Sequence, residues 1–226
     1  MEARMKMVKS VQPFLIALAC LMMAAVSYAA PVLQPPEEEV KKITTELLDT
    51  FNKNKEQYKK NPDGFFKEVD RLLSPVVAFD QVGRYVMGKY AHRNPDQVVK
   101  FESEFKDSLI RFYGKALLSL DDTSLIIDSV DKTSPELLKK YQEGKTSRIP
   151  VKMKIRTSNS TVEIFYSMVH VDGRWKLRNV TIEGINIAKQ FQSQFADAVD
   201  RHKKVPYVVE NWTAIMSSST DKGSKK

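Results

Sequence analysis

The chain has 226 residues, with 36 Lys and Arg against 28 Asp and Glu and a formal net charge of +8. Charged residues of both signs make up 28% of it, which describes an ordinary soluble surface. A single cysteine excludes an intrachain disulfide.

The first 29 residues read as an export signal. Arg4, Lys6 and Lys9 give a positive start, and Phe14 to Val26 is an apolar run too short to span a bilayer. Ser27-Tyr28-Ala29 places small residues where a signal peptidase reads, so cleavage after Ala29 is expected; an uncleaved N-terminal anchor is the alternative. The single cysteine, Cys20, lies inside the apolar run. Ala17-Leu18-Ala19 before it lacks the large aliphatic residue expected three positions ahead of an acylated cysteine, which argues against a lipoprotein. The signal holds three bases and one acid, so its removal takes the net charge from +8 to +6. Export argues against a nucleic-acid partner, and the positive charge fits an anionic membrane surface or an acidic protein. The remaining chain, residues 30–216 with a polar flexible tail at 217–226, is long enough for one core and one domain.

Pro31 to Pro36 is a linker. A helix is expected from Glu37 to Tyr58, with Val40, Ile43, Leu47, Leu48 and Phe51 on one stripe. Asn61-Pro62-Asp63-Gly64 turns the chain, with Asp63 as a possible N-cap, and Phe65 to Leu73 is a short helix. Phe79 to Gly88 is another, stopped by Gly88. Asn94, Pro95 and Gln97 have the spacing of a capping box, which opens the longest helix. Its stripe runs through Val98, Phe101, Phe105, Leu109, Phe112, Tyr113 and Ala116. Thr123 to Val130 alternates as a first strand, and Pro135 to Tyr141 suits a helical turn.

A meander follows. Ile149, Val151, Met153 and Ile155 share one side of a strand and Arg148, Lys152, Lys154 and Arg156 the other. Ser158-Asn159-Ser160 turns the chain, and Val162, Ile164, Tyr166 and Met168 form a second alternating face. Asp172-Gly173 is a strong hairpin signal. Trp175 and Leu177 open the next strand and Gly184 ends it. Ile185 to His202 then has helical spacing, and Val205 to Met216 makes a last short helix. Helices, then strands, then helices describe an α+β fold: a curved antiparallel sheet of about four strands packed with several helices around an apolar pocket.

Chemistry-bearing motifs are few. His92, His170 and His202 stand far apart without metal spacing. Asp80 with Tyr166 could act as general base and partner in a sheet cavity, or Asp80 is simply a helix N-terminal acid. Lys152, Lys154, Arg156, Lys176 and Arg178 fall on polar sides of neighbouring strands and form either a docking surface or a solvated face. Asn159, Asn179 and Asn211 lie in glycosylation sequons, which would matter in a eukaryotic secretory pathway and stand idle in bacterial export, and the signal suits either. No nucleophile elbow, phosphate loop, zinc motif or calcium loop is present.

Phe79-Asp80, Val86-Met87-Gly88, the Phe101, Phe105, Leu109 and Tyr113 face, and Tyr166 with Gly173, Trp175-Lys176, Glu183-Gly184 and Gln194-Phe195 resemble the MlaC family. This family, also called the toluene-tolerance family, comprises periplasmic phospholipid-binding proteins. The resemblance covers about Val40 to Met216. Asn179, Asn186 and Gln192 depart from the family's aspartate, serine and arginine, and Tyr90 takes a tryptophan's place. The resemblance implies an NTF2-like sheet with added helices and a non-enzymatic periplasmic lipid carrier that needs no cofactor. Its partners would be phospholipid, an outer-membrane lipoprotein complex and an inner-membrane ABC transporter with a lipid-transfer domain. Such shuttling would maintain outer-membrane lipid asymmetry. The expected lipid-facing residues on the helices are Val82, Tyr85, Val86, Met87, Phe105, Leu109 and Phe112. On the sheet they are Met153, Ile155, Ile164, Tyr166, Met168, Trp175, Leu177, Val180 and Ile182. An exported enzyme built on Asp80 and a pocketless adaptor are the alternatives.

Overall fold

Residues 33–119, 125–157 and 159–223 are described by the structure, a computed structural model. The expected signal segment, the start of the linker, Thr123-Ser124 and Ser158 lie outside them. Residues from Pro35 onward form one compact unit.

Helix α1 (Glu37–Lys60) has acids in its first turn and bases in its last, matching the helix dipole at both ends. Val40, Leu48 and Phe51 are buried, and the Phe51 ring lies 6.0 Å from Phe65 of α2 (Pro62–Leu73). The cap of α2 is Asn61 rather than Asp63. Its side chain accepts from Gly64 N at 3.4 Å, which leaves Pro62 at the start of the helix, where its missing N–H costs nothing. Helix α3 (Phe79–Met87) ends at Gly88, whose φ is +54°. The short α4 (Lys89–Arg93) leads into α5 (Pro95–Ser119). The expected capping box is not formed. Asn94 turns back to donate to Tyr90 O at 2.9 Å, and Gln97 donates to Asp96 Oδ2 at 2.8 Å.

The sheet has five strands in the order β1-β2-β3-β4-β5, every neighbouring pair antiparallel. They are β1 (Ile126–Val130), β2 (Ile149–Arg156), β3 (Thr161–Val171), β4 (Arg174–Ile182) and β5 (Ile185–Asn186). The sheet is curved and does not close. Helix α6 (Pro135–Gln142) lies between β1 and β2, where a helical turn was expected. On β2, Ile149, Val151 and Met153 are buried while the alternate residues are not, as their period-two pattern dictates.

Two tight hairpins set the register of β3, β4 and β5. Asp172 and Gly173 both have positive φ, the signature of the type I′ turn that matches strand twist. Glu183 and Gly184 repeat the arrangement, so Gly184 does not end the sheet: Ile182 pairs with Ile185, and a fifth strand follows. Ile185 is therefore exposed rather than on a helical face.

Helix α7 (Ile187–His202) starts two residues later than its spacing suggests, capped by Asn186, which accepts from Lys189 N at 2.9 Å. The last expected helix is two, α8 (Val205–Glu210) and α9 (Trp212–Gly223), separated by Asn211. Helices α3, α4, α5, α7, α8 and α9 enclose the main core around Phe101, Phe105, Phe195 and Trp212. Among the described residues no helix is long and apolar enough to cross a membrane.

Candidate functional site

A bulge in β4 decides what faces the helices. Met168 pairs with Leu177 but Ser167 pairs with Asn179, so Arg178 is the extra residue. Simple alternation from Leu177 would bring Asn179 and Thr181 to the same face. The bulge shifts the phase by one and brings Val180 and Ile182 there instead. Beside this strand, Val76 to Ala78 runs along Leu177: Leu177 N donates to Val76 O at 2.7 Å and Ala78 N donates to Leu177 O at 2.9 Å.

Between β4 and helices α1, α2 and α5 lies a cavity of about 280 Å³. Leu177, Val180 and Ile182 form its sheet side; Leu47, Phe65, Val69 and Leu73 come from α1 and α2; Leu109, Ile110, Tyr113 and Leu117 come from α5. Its wall is almost entirely apolar. A smaller annex of about 90 Å³ shares Val77, Leu109, Leu177, Val180 and Ile187 with it, and adds Val82, Phe105 and Phe191. The annex in turn shares Arg178, Asn179 and Ala188 with a polar pocket of about 170 Å³ lined also by Tyr85, Ser147, Arg148, Ser167 and Asn186. Apolar chamber, annex and polar pocket thus adjoin in series.

The expected lipid-facing residues divide among several places. Leu109, Leu177, Val180 and Ile182 line the chamber, and Val82 and Phe105 line the annex. Phe112 lines a separate groove between α5 and α7, with Tyr113. Val86 and Met87 are packed in the helical core at 0% and 1% exposure. Tyr85 is 41% exposed and borders the polar pocket. Helical geometry gives the reason: at about 100° per residue, the face centred on Val82, Gly83, Val86 and Met87 leaves Tyr85 on the flank. Met153, Met168 and Trp175 are buried, and Ile155, Ile164 and Tyr166 half-buried; none of the six lines the chamber, although Ile164, Tyr166 and Met168 pair with its Ile182, Val180 and Leu177. Trp175 packs against Tyr141 and His170 at 5.2 Å each. The Tyr166 hydroxyl meets Met153 Sδ at 3.7 Å. Burial pushes its pKa up, and a hydrogen bond with Thr44 of α1 pulls the other way.

Asp80 is exposed on the first turn of α3 and is not among the residues that line the chamber or the annex. Among the described residues no cluster of three His, Cys, Asp or Glu could hold a metal. The expected docking bases are mostly compensated. Lys152 pairs with Glu163 at 2.6 Å, while Arg156–Asp128 and Lys176–Asp172 stand at 3.8 Å. Arg178 sits apart, at the bulge.

Sequence reasoning missed the whole α1–α2 side of the chamber: Leu47, Phe65, Val69 and Leu73. Their amphipathic spacing was visible, but it identifies a buried face without its partner. The departures from the family pattern all make contacts. Asn179 Oδ1 accepts from Ala188 N at 3.1 Å, Asn186 caps α7, and Gln192 donates to Tyr85 O at 2.7 Å beneath Gly88. Tyr90 packs its ring 6.0 Å from Phe195.

These features define a class of protein, an α+β domain with an apolar chamber between its sheet and helices, joined through an annex to a polar pocket. Comparison with known proteins narrows it. The family model described as MlaC protein matches residues 41–214. Toluene tolerance protein ttg2D of Pseudomonas putida is 36% identical over 203 residues, covering 88% of this chain and 89% of that protein. A phospholipid-binding protein from Ralstonia solanacearum, solved in complex with a phospholipid at 1.53 Å resolution, superposes with a TM-score of 0.67 at 19% identity. That match covers 82% of this chain and 98% of the other. The chain belongs to the MlaC family.

Proposed function

We propose that this protein is a periplasmic phospholipid carrier, exported with residues 1–29 as a cleaved signal. It would shuttle lipid between an outer-membrane lipoprotein complex and an inner-membrane ABC transporter, and so maintain outer-membrane lipid asymmetry. The observation that carries the proposal is the chamber: an almost purely apolar space of about 280 Å³ beside a sheet, in a chain of this family.

The energetics of the cargo fit such a device. Two acyl chains of about 15 methylenes each, at about 0.8 kcal/mol per methylene, are worth on the order of 24 kcal/mol against water. Unaided diffusion of lipid across an aqueous gap is therefore negligible, and a carrier must offer a dry cavity. Relative to a bilayer the burial nearly cancels, so loading and release need a docked path rather than a chemical step.

The outer face of the sheet, with Lys152, Lys154, Arg156 and Lys176, is the proposed docking surface. Its ion pairs with Glu163, Asp128 and Asp172 leave a mixed rather than a purely basic field. Reversing Lys152, Lys154 and Lys176 to Glu should weaken docking and spare lipid content; unchanged affinity for both membrane complexes would remove this face from the proposal.

The decisive test is native mass spectrometry of the mature protein, purified without detergent from the soluble exported fraction. Added mass that resolves into phospholipid supports the carrier. A bare protein mass, together with failure to take up labelled phospholipid from vesicles, would overturn it.

A further inference from the structure

We propose that Arg148 and Arg178 are the phosphate contact of the bound lipid, holding the phosphodiester in the polar pocket while the acyl chains occupy the apolar chamber. The proposal rests on the carrier reading and goes beyond it by naming where the charged part of the cargo sits.

Charge on this pocket is not balanced. Arg148 and Arg178 both line it, and among the described residues neither has a carboxylate within ion-pairing distance. Three of the nearby bases on the outer sheet face do have one. Arginine's planar fork suits phosphate oxygens, since it can donate two parallel hydrogen bonds to one group. Two amides of the first turn of α7 are already taken, since Asn179 accepts from Ala188 N and Asn186 from Lys189 N. The arginines are the cationic residues that line the pocket, together with Ser147 and Ser167.

Position supplies the second reason. The pocket borders the annex through Arg178, Asn179 and Ala188, and the annex borders the chamber through Leu177 and Val180. Ser167 and Asn179 of the pocket stand on the sheet face opposite Leu177 and Val180, so a molecule with an anion at one end and long chains at the other would pass the β4 bulge at the annex, chains toward the chamber and anion toward the arginines. The β4 bulge makes this geometry: the strand that presents Leu177 and Val180 to the chamber carries the extra residue Arg178 at the polar end. Because the phosphodiester is common to every glycerophospholipid, such a contact demands phosphate and is indifferent to the group beyond it.

The test loads delipidated full-length mature protein from vesicles. The vesicles contain phosphatidylglycerol, phosphatidylethanolamine or diacylglycerol with matched chains, and retained lipid is measured by native mass spectrometry. Wild type should hold the two phospholipids alike and diacylglycerol about tenfold less, the value of about one charge-assisted hydrogen bond. The double variant R148Q/R178Q should lose about tenfold for both phospholipids and nothing for diacylglycerol. Its thermal unfolding should be unchanged, since both side chains are exposed. R148K/R178K, which keeps the charge without the fork, should recover part of the loss.

Wild-type retention of phospholipid by R148Q/R178Q would overturn the assignment and leave the carrier standing. So would an equal loss of phospholipid and diacylglycerol, which would make the arginines part of the cavity's shape. If wild type retained none of the lipids, the carrier reading itself would fall. Arginine-dependent binding of inorganic phosphate by that lipid-free protein, seen by phosphorus NMR, would then reassign the pocket to free phosphate.

Discussion

Two apolar regions of this molecule are built from similar residues and packed to different ends. In the helical core, Phe101, Phe105, Phe191, Phe195 and Trp212 meet ring to ring. Phe101 lies 4.8 Å from Phe195, 5.2 Å from Trp212 and 5.6 Å from Phe105. Interlocked rings tie α5, α7 and α9 together, with Val205, Val208 and Val209 of α8 packed into the same cluster. On the other side of α5, its residues Leu109, Ile110 and Leu117 face aliphatic side chains of β4 and α1–α2 across a gap. One helix thus serves a solid wall and a hollow one. The rigidity of the first allows the second to stay open, because an unfilled apolar space costs stability that must come from elsewhere.

The largest expected effect tests the solid side. Phe101→Ala should cost about 3–5 kcal/mol, as for a fully buried aromatic with little room to relax. Leu177→Ala, on the chamber wall, should cost only about 1–2 kcal/mol, because that side chain already borders open space. Denaturant unfolding of both variants checks the contrast. Equal losses would mean that the chamber is packed as tightly as the core.

Enlarging side chains should reverse the order of harm. Ala198→Leu, at 0% exposure in the helical core, should destabilise by about 1–3 kcal/mol through overpacking. Val180→Phe should fill part of the chamber, stabilise by up to about 1 kcal/mol and reduce retained lipid. A Val180→Phe protein with reduced stability and full lipid content would show that the lipid lies elsewhere.

The difference between the two regions also marks how far the residues could be read. Helices, strand faces and the Asp172-Gly173 hairpin follow from local spacing, because each is settled by neighbours in sequence. The second hairpin, at Glu183-Gly184, was hidden because Ile185 is spaced equally well for a helix through Ala188 and Phe191. The bulge at Arg178 leaves no mark in composition, yet it determines that Val180 and Ile182 face inward. Phe65 and Val69 were legible as a buried stripe, but not as the side of a chamber. Hollow and solid packing use the same apolar alphabet, and only the third dimension separates them.

Gly114 tests how closely the hollow side is fitted. It lies on α5 where α2 crosses, and an added Cβ would stand 2.9 Å from Phe66 Cε1 and 3.0 Å from Cδ1. Alanine would ordinarily gain about 1 kcal/mol over glycine in a helix. Here Phe66 is only 6% exposed and cannot swing aside, so Gly114→Ala should lose on the order of 1 kcal/mol. A stabilised variant would mean that α2 can shift against α5 to make room for the added methyl.

The smallest effects concern two carboxylates, one on each side. Glu102 of α5 is pressed beneath α3, with Arg84 Nε 3.7 Å away. Burial pushes its carboxyl above the ordinary range; Arg84 pulls it down and Asp80 pushes it up. Asp70 of α2 is held low, first by its hydrogen bond from Ser74 and further by Lys106 at 3.0 Å. The signs are opposite. A carboxyl whose folded pKa is raised binds its proton more tightly when native, so Glu102 costs stability as pH climbs from its unfolded value through its folded one, and the cost persists at neutral pH. Asp70 contributes stability above its unfolded pKa and loses it as pH falls through its lowered folded pKa. Glu102→Gln should therefore stabilise at neutral pH and do nothing in acid, while Asp70→Asn should destabilise at neutral pH and do nothing in acid. Unfolding free energies from about pH 3 to about pH 8 read both. A neutral-pH loss in Glu102→Gln would mean that the Arg84 pair outweighs burial, and that the seam between α3 and α5 is held by charge rather than by packing.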